Sequence, residues 1–202
     1  KGYNSWTSEG GNIYSATVSG SDFIYQTFEG DAVLQQARYP KIDGELSTED
    51  NYYSVTSTSS STKFICSDLI GFPNIVGASV QINGNEWDTN SRTITAFTSG
   101  TGEVTLSSSI DGGLSSGDLF WVTNDYDLLD ADGEWYFDDS ADKLYIYDTG
   151  GTPTNIKGQT FDGSAITLTT SDNVTVENIT IKNYNTHGIY FNDSDNGIVD
   201  GV

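Results

Sequence analysis

Short runs of alternating apolar and polar residues, broken every few positions by Gly, Asn, Asp, Ser or Thr, extend along the whole chain. Nowhere do apolar residues recur at i, i+3, i+4 and i+7 for three turns, so the pattern predicts strands throughout and no long helix. Near the N-terminus the strand candidates are Ile13-Tyr14-Ser15-Ala16-Thr17-Val18, the segment from Asp22 to Asp31, and the segment from Ala32 to Pro40, where proline ends the run. Residues 46–62 are rich in Ser and Thr, almost exclusively so after Ser54, and read as a flexible surface connection.

A second block, residues 63–124, holds Ala78-Ser79-Val80-Gln81-Ile82, Arg92-Thr93-Ile94-Thr95-Ala96-Phe97, Glu103-Val104-Thr105-Leu106 and Asp118-Leu119-Phe120-Trp121-Val122. Turn signals at Asn83-Gly84-Asn85, Ser99-Gly100 and Asp111-Gly112-Gly113 separate them, which suggests a small β-barrel or sandwich inserted into the main body. Beyond it, Glu134-Trp135-Tyr136-Phe137-Asp138 and Lys143-Leu144-Tyr145-Ile146-Tyr147 flank a polar turn and predict a hairpin. Three regions follow: residues 1–62 as N-terminal capping strands and connection, 63–124 as the insert, and 125–202 as hairpin and repeats.

Residues 155–202 align with themselves at a shift of 23. Asn155-Ile156 recurs as Asn178-Ile179, Ala165-Ile166-Thr167-Leu168 as Gly188-Ile189-Tyr190-Phe191, and Ser171-Asp172-Asn173 as Ser194-Asp195-Asn196. A fixed period carried by period-two apolar pairs is the signature of a solenoid of parallel strands. Ile166 with Leu168, Val174 with Val176, and Ile179 with Ile181 predict three strands per coil, stacked about 4.8 Å below their counterparts in the next coil. Asn155 and Asn178 occupy a turn where one amide can bond the same amide one coil away. The expected fold is therefore all-β, a partial right-handed parallel β-helix of about 23 residues per coil. An apolar coil depends on its neighbours for burial, so the stop at Val202, mid-pattern, reads as a fragment of a larger protein or as an end covered by a partner.

Charge narrows the partners. With 8 Lys+Arg against 29 Asp+Glu the net charge is −21, which argues against nucleic acid and anionic membrane surfaces. No apolar run is long enough to span a membrane. Cys66, the single cysteine, lies in Phe64-Ile65-Cys66 and reads as a small buried hydrophobe. Met is absent even at position 1, as expected of a processed chain.

The order Gln26, Phe28, Gly30 and Ala37-Arg38-Tyr39-Pro40, then a β insertion, then Leu129-Asp130-Ala131-Asp132-Gly133-Glu134-Trp135-Tyr136-Phe137-Asp138 with Lys143-Leu144-Tyr145-Ile146-Tyr147, then Ser171-Asp172-Asn173-Val174-Thr175-Val176-Glu177-Asn178-Ile179-Thr180-Ile181, resembles the N-terminal portion of secreted bacterial right-handed parallel β-helix proteins of the pectate-lyase-like superfamily. The resemblance implies an extracellular or cell-surface protein acting on a polysaccharide or cell-surface glycan, by hydrolysis or elimination, with catalytic groups on middle coils. A non-catalytic glycan-binding or adhesive module is the alternative. An ice-binding solenoid would need a repeated Thr face, and here Thr167 and Thr169 give way to Tyr190 and Asn192.

Several residues are candidates for chemistry. Glu177 and Asp200 stand 23 apart and point outward, so their carboxylates fall at a separation suited to a retaining glycosidase pair, about 5 to 5.5 Å; two solvated surface acids fit the same pattern. His187 is the single histidine and the natural general acid or base near neutral pH, or a hydrogen-bonding corner residue. Asp125, Asp127, Asp130 and Asp132 offer the oxygen ligands Ca²⁺ takes, without the spacing or closing Glu of an EF-hand; solvated acids are the other reading. Trp87, Tyr190 and Tyr184 are the candidates for stacking on sugar rings.

Overall fold

The computed structural model describes residues 1–20, 22–42, 51–85, 88–184 and 186–202. Among the described residues the regular elements are almost entirely strands, with the short 3-10 helices Ser67–Leu69 and Tyr126–Leu128 among the few exceptions, so the chain is all-β. The predicted hairpin forms: Glu134–Asp138 pairs antiparallel with Lys143–Tyr147, from Trp135 opposite Ile146 to Asp138 opposite Lys143. Asp138 Oδ1 fastens the turn by accepting from Ser140 N, Ser140 Oγ and Ala141 N. Ile13–Thr17 and Thr7–Gly10 extend the sheet on one side and Gln35–Gln36 on the other.

Strand alternation sends the two faces of this five-stranded sheet to different cores. Trp135, Phe137, Leu144 and Ile146 point to one side and bury with Val18, Ile24 and Ile156. Tyr136, Tyr145 and Tyr147 point to the other and pack against the core of the insert. Full burial of each large apolar side chain contributes about 1.5–3 kcal/mol.

Ile156–Gln159 pairs antiparallel with Gly2–Tyr3 and with Gln26–Glu29 in a second, four-stranded sheet. Gly158 makes this packing possible, because a Cβ there would lie 2.8 Å from Ile24 and 2.9 Å from the Tyr3 ring. The expectation that Ile156 opens a column of stacked parallel strands is thus corrected. Its backbone is committed to the antiparallel cap, and Ile179, Ile181 and Val202 lie outside strands. A three-stranded coil is not formed among the described residues; two parallel pairs are.

Ile166–Thr169 pairs with Ile189–Asn192, and Thr175–Glu177 with Ile198–Asp200, each in parallel register at the 23-residue offset. The ladder also continues through the corners, where Thr170 N donates to Asn192 O, Asn173 N to Asp195 O and Asn178 N to Asp200 O. Asn173 and Asn196 both adopt left-handed φ, 57° and 56°, a region in which asparagine is several-fold enriched over other non-glycine residues. Asn196 Nδ2 donates to Asn173 Oδ1 at 3.2 Å, so an amide ladder exists at this corner, one turn away from the Asn155/Asn178 position expected to carry it.

The strands of residues 63–124, expected to form an inserted small barrel or sandwich, lie in an eight-stranded antiparallel sheet rather than a closed barrel. Leu119–Thr123 is its hub, bonding to Ser79–Asn85 on one edge and to Arg38–Tyr39 and Tyr53–Ser54 on the other. The sheet therefore recruits strands from before residue 62. Ser57–Ser60, inside the stretch expected to be a flexible connection, pairs with Lys63–Ile65. All four of its side chains are exposed, so an edge strand of this kind has no apolar alternation to betray it. Asp88–Thr98 changes partner along its length, from Ser79–Asn85 to Glu103–Leu106, with a register shift between Ile94 and Ala96 that bends the sheet over Phe64, Val80, Ile82, Val104 and Phe120.

Candidate functional site

The two parallel pairs present the outward side chains that bear on function. In the first pair Ile166, Leu168, Ile189 and Phe191 turn inward, leaving Thr167 beside Tyr190 and Thr169 beside Asn192 on the outer face. Tyr190 is 40% exposed, and the His187 ring lies parallel to it at 4.9 Å with an 18° interplanar angle. Ala165 N donates to His187 O and Ile166 N to Gly188 O, which ties the histidine to the coil below. Ser164 Oγ lies 3.2 Å from His187 Nδ1 and 3.1 Å from Thr186 Oγ1. The result is a flat π surface edged by hydroxyls, a combination that holds the apolar face of a ring while bonding its polar substituents. Ser164 is a partner that reasoning from single residues missed; the repeat held the signal, because Ser164 stands 23 residues before His187.

Glu177 and Asp200 are directly opposite one another in the second parallel pair, and both are exposed. The 23-residue spacing thus brings the two acids onto neighbouring strands about 4.8 Å apart. It does not bring them to His187, which stands at the entry of the first pair, on a different sheet. Tyr184 is also separated from Tyr190. With Ile181, Ile189, Phe191, Val199 and Val202 it lines a cavity of 520 Å³ on the inward side of the parallel pairs, whereas Tyr190 faces out. Trp87 lies outside the described residues.

Three of the four aspartates proposed as metal ligands, Asp125, Asp130 and Asp132, have separate engagements. Asp125 accepts from Asp127 N at 2.9 Å as the cap of a 3-10 turn, and burial raises its carboxyl above the ordinary value. Asp132 accepts from Thr149 N and Oγ1, bonds that lower its pKa. Asp130 meets the Lys41 ammonium at 2.6 Å and accepts from the Tyr39 hydroxyl. Lys41 Nζ also donates to both oxygens of the buried Glu134, each at 2.7 Å, and to Leu128 O. The Lys41 ammonium group thus pairs with both Asp130 and Glu134. Among the described residues no group of three His, Cys, Asp or Glu side chains is placed to hold a metal ion.

A second cationic feature escaped the sequence. Arg38 is 4% exposed, with its guanidinium 4.8 Å from the Trp121 ring and 5.4 Å from the Tyr52 ring. Nε donates to Pro40 O and Nη2 to Asn51 O. Burial depresses its pKa, and the two ring faces supply part of the compensation.

No protein-family model matches this chain, and no curated protein matches it. Among solved structures, a chain described as "Glycoside hydrolase" superposes with a TM-score of 0.68 at 15% sequence identity, over 91% of this chain and 36% of that one. The chain thus spans about a third of that structure. The likeness is one of fold.

Proposed function

We propose that this chain is the N-terminal part of an extracellular polysaccharide-processing protein built on a right-handed parallel β-helix, and that its His187/Tyr190 face contacts the glycan. The observation that carries the reading is the unbroken parallel ladder at a 23-residue offset, in a chain whose fold matches 91% of its length to a structure named glycoside hydrolase. Such a ladder propagates by adding coils, and an outward sheet face made of stacked coils suits a long, repeating ligand. Turnover would then belong mainly to further coils. Glu177 and Asp200 are where these 202 residues would contribute an acid pair.

A second reading, a glycan-binding module without turnover, draws on the stacked His187 and Tyr190 rings and on the placement of the acid pair on a different sheet from them. Affinity electrophoresis through gels containing neutral or acidic polysaccharides, run beside reducing-sugar release by the whole secreted protein, separates the two. Retardation of the chain is expected on at least one polysaccharide, weakened about three- to tenfold in Tyr190→Ala by loss of the ring contact. Release abolished by Glu177→Gln or Asp200→Asn assigns chemistry to this chain. Retardation with no release by the whole protein supports the binding module. A folded chain that no polysaccharide retards, from a parent that releases no sugar, overturns the glycan reading.

A further inference from the structure

The inserted sheet holds a second open cavity, far in sequence from the repeats and apart from the His187/Tyr190 face. We infer that this cavity, walled by Tyr52, Tyr53, Ser54 and Asp68, is a binding site for one or two neutral sugar rings. The inference rests on the glycan-directed reading and extends it to a different part of the molecule.

The cavity measures 520 Å³, within the roughly 300–1,000 Å³ typical of small-ligand sites. Gly117, Leu119 and Pro40 complete its lining, Leu119 lying directly beside Ser54 on the neighbouring strand. Its walls are held from behind. Tyr53–Ser54 bonds to the hub strand in the register Phe120 opposite Tyr53 and Leu119 opposite Ser54. The Tyr53 ring rests on buried Phe120 at 5.7 Å, and the Tyr52 ring stands edge-on to Trp121 at 5.6 Å. Arg38, itself anchored by two backbone carbonyls, lies over Tyr52. Asp68 is carried by the 3-10 turn Ser67–Leu69, whose Leu69 is fully buried in the insert's core. A site fixed in this way loses little conformational freedom when a ligand enters.

The polar groups select the ligand. A pyranose offers an apolar C–H face to a tyrosine ring and a rim of hydroxyl donors, and the Asp68 carboxylate can accept from two neighbouring hydroxyls. Ser54 adds a hydroxyl that can donate or accept. The Tyr53 phenol keeps its proton across the neutral range, because burial first, with the Asp68 carboxylate nearby, raises its pKa, so it can serve as a donor. A uronate or sulfated sugar would bring a second negative charge to Asp68 in a chain of net charge −21, which disfavours it. The neutral ring is the chemistry that fits.

The test is an amide-resolved NMR titration of the 202-residue chain with cellobiose, maltose, lactose and xylobiose, with digalacturonate as the charged control. Saturable shifts centred on Ser54, Asp68 and Leu119 are expected for at least one neutral disaccharide. Asp68→Asn, an exposed near-isosteric change, should weaken that binding about tenfold by removing a charged acceptor. Ser54→Trp should abolish it by filling the cavity, while Tyr190-dependent retardation by polysaccharide stays as in the wild type. If Ser54→Trp unfolds the insert, Asp68→Asn alone decides. Absence of shifts at these amides with every neutral disaccharide, undiminished affinity in Asp68→Asn, or preference for digalacturonate overturns the inference. Failure here with retardation intact leaves the repeat-face contact standing. Shifts here without any Tyr190-dependent retardation support the cavity site and count against the repeat face.

Discussion

Lys41 offers the most decisive single perturbation, because one ammonium group joins the N-terminal region to the acid-rich segment near residue 130. Glu134 Oε2 already accepts from Asp130 N at 3.2 Å and Ala131 N at 3.1 Å, so the carboxylate is bound on one side by backbone and on the other by Lys41. Lys41→Met removes the ammonium, leaves Leu128 O without this donor and strands a charge that is only 4% exposed. Removing one partner of a buried pair costs about 3–5 kcal/mol. The Lys41 side chain is 28% exposed and Asp130 45%, so solvent recovers part of that, and a loss of about 2 kcal/mol is expected. For a domain of this size that lowers Tm by about 4–8 °C. Glu134→Gln keeps both backbone bonds and should cost about 1 kcal/mol, and the double variant should recover about half of the Lys41→Met loss, because no uncompensated buried charge remains and Asp130 is 45% exposed. Equilibrium denaturation followed by near-ultraviolet circular dichroism reads all four corners of the cycle. A Lys41→Met protein within about 0.5 kcal/mol of wild type, or single losses that simply add, would refute the claim that this ammonium neutralises Glu134.

The Asn173–Asn196 ladder should be visible as a split between two substitutions: Asn173→Gly loses the amide bond but also relieves the Cβ held at φ 57° and should cost less than about 1 kcal/mol, whereas Asn173→Ala loses the bond, keeps the Cβ and lacks the polar side chain that favours this φ, and should cost about 1–2 kcal/mol in the same denaturation assay. Asp138 predicts an acid limb of stability. Its folded pKa is lowered, first by the Ser140 hydroxyl, so its contribution is present above the unfolded value of about 4 and is lost as pH falls through the folded value; Asp138→Asn should lower Tm at pH 7–8, flatten Tm against pH in the acid range, and converge with the wild type at low pH. Cys66 is fully buried with its thiol pKa raised by desolvation, so at pH 8 a disulfide reagent should label it only as fast as the insert opens, and immediately in denaturant; prompt labelling of the native chain would contradict this placement.

Much of this architecture is legible along the chain because it is local or periodic. The hairpin at 134–147 shows in the alternation of Trp135, Phe137, Leu144 and Ile146, and the parallel pairs show in the 23-residue echo that aligns Ile166 with Ile189 and Thr175 with Ile198. The echo also brings Glu177 beside Asp200, since equal spacing in a stacked coil means adjacent strands. All of these follow from period and polarity, which a sequence carries explicitly.

Tertiary structure decided what depends on which backbone occupies each strand edge. Ile156 matches Ile179 in pattern, yet the cap strands Gly2–Tyr3 and Gln26–Glu29 occupy both its edges, and the third strand of the coil has nothing to stack on. Ser57–Ser60 became an edge strand because Lys63–Ile65 had an open edge to fill, not because of any side chain it carries. The acids near residue 130 looked alike in sequence and were divided by distant partners, Asp130 going to Lys41 and Asp132 to Thr149. Period and polarity fold the chain into strands and coils by themselves; the choice among chemically equivalent partners is made by long-range packing, which no local window of sequence contains.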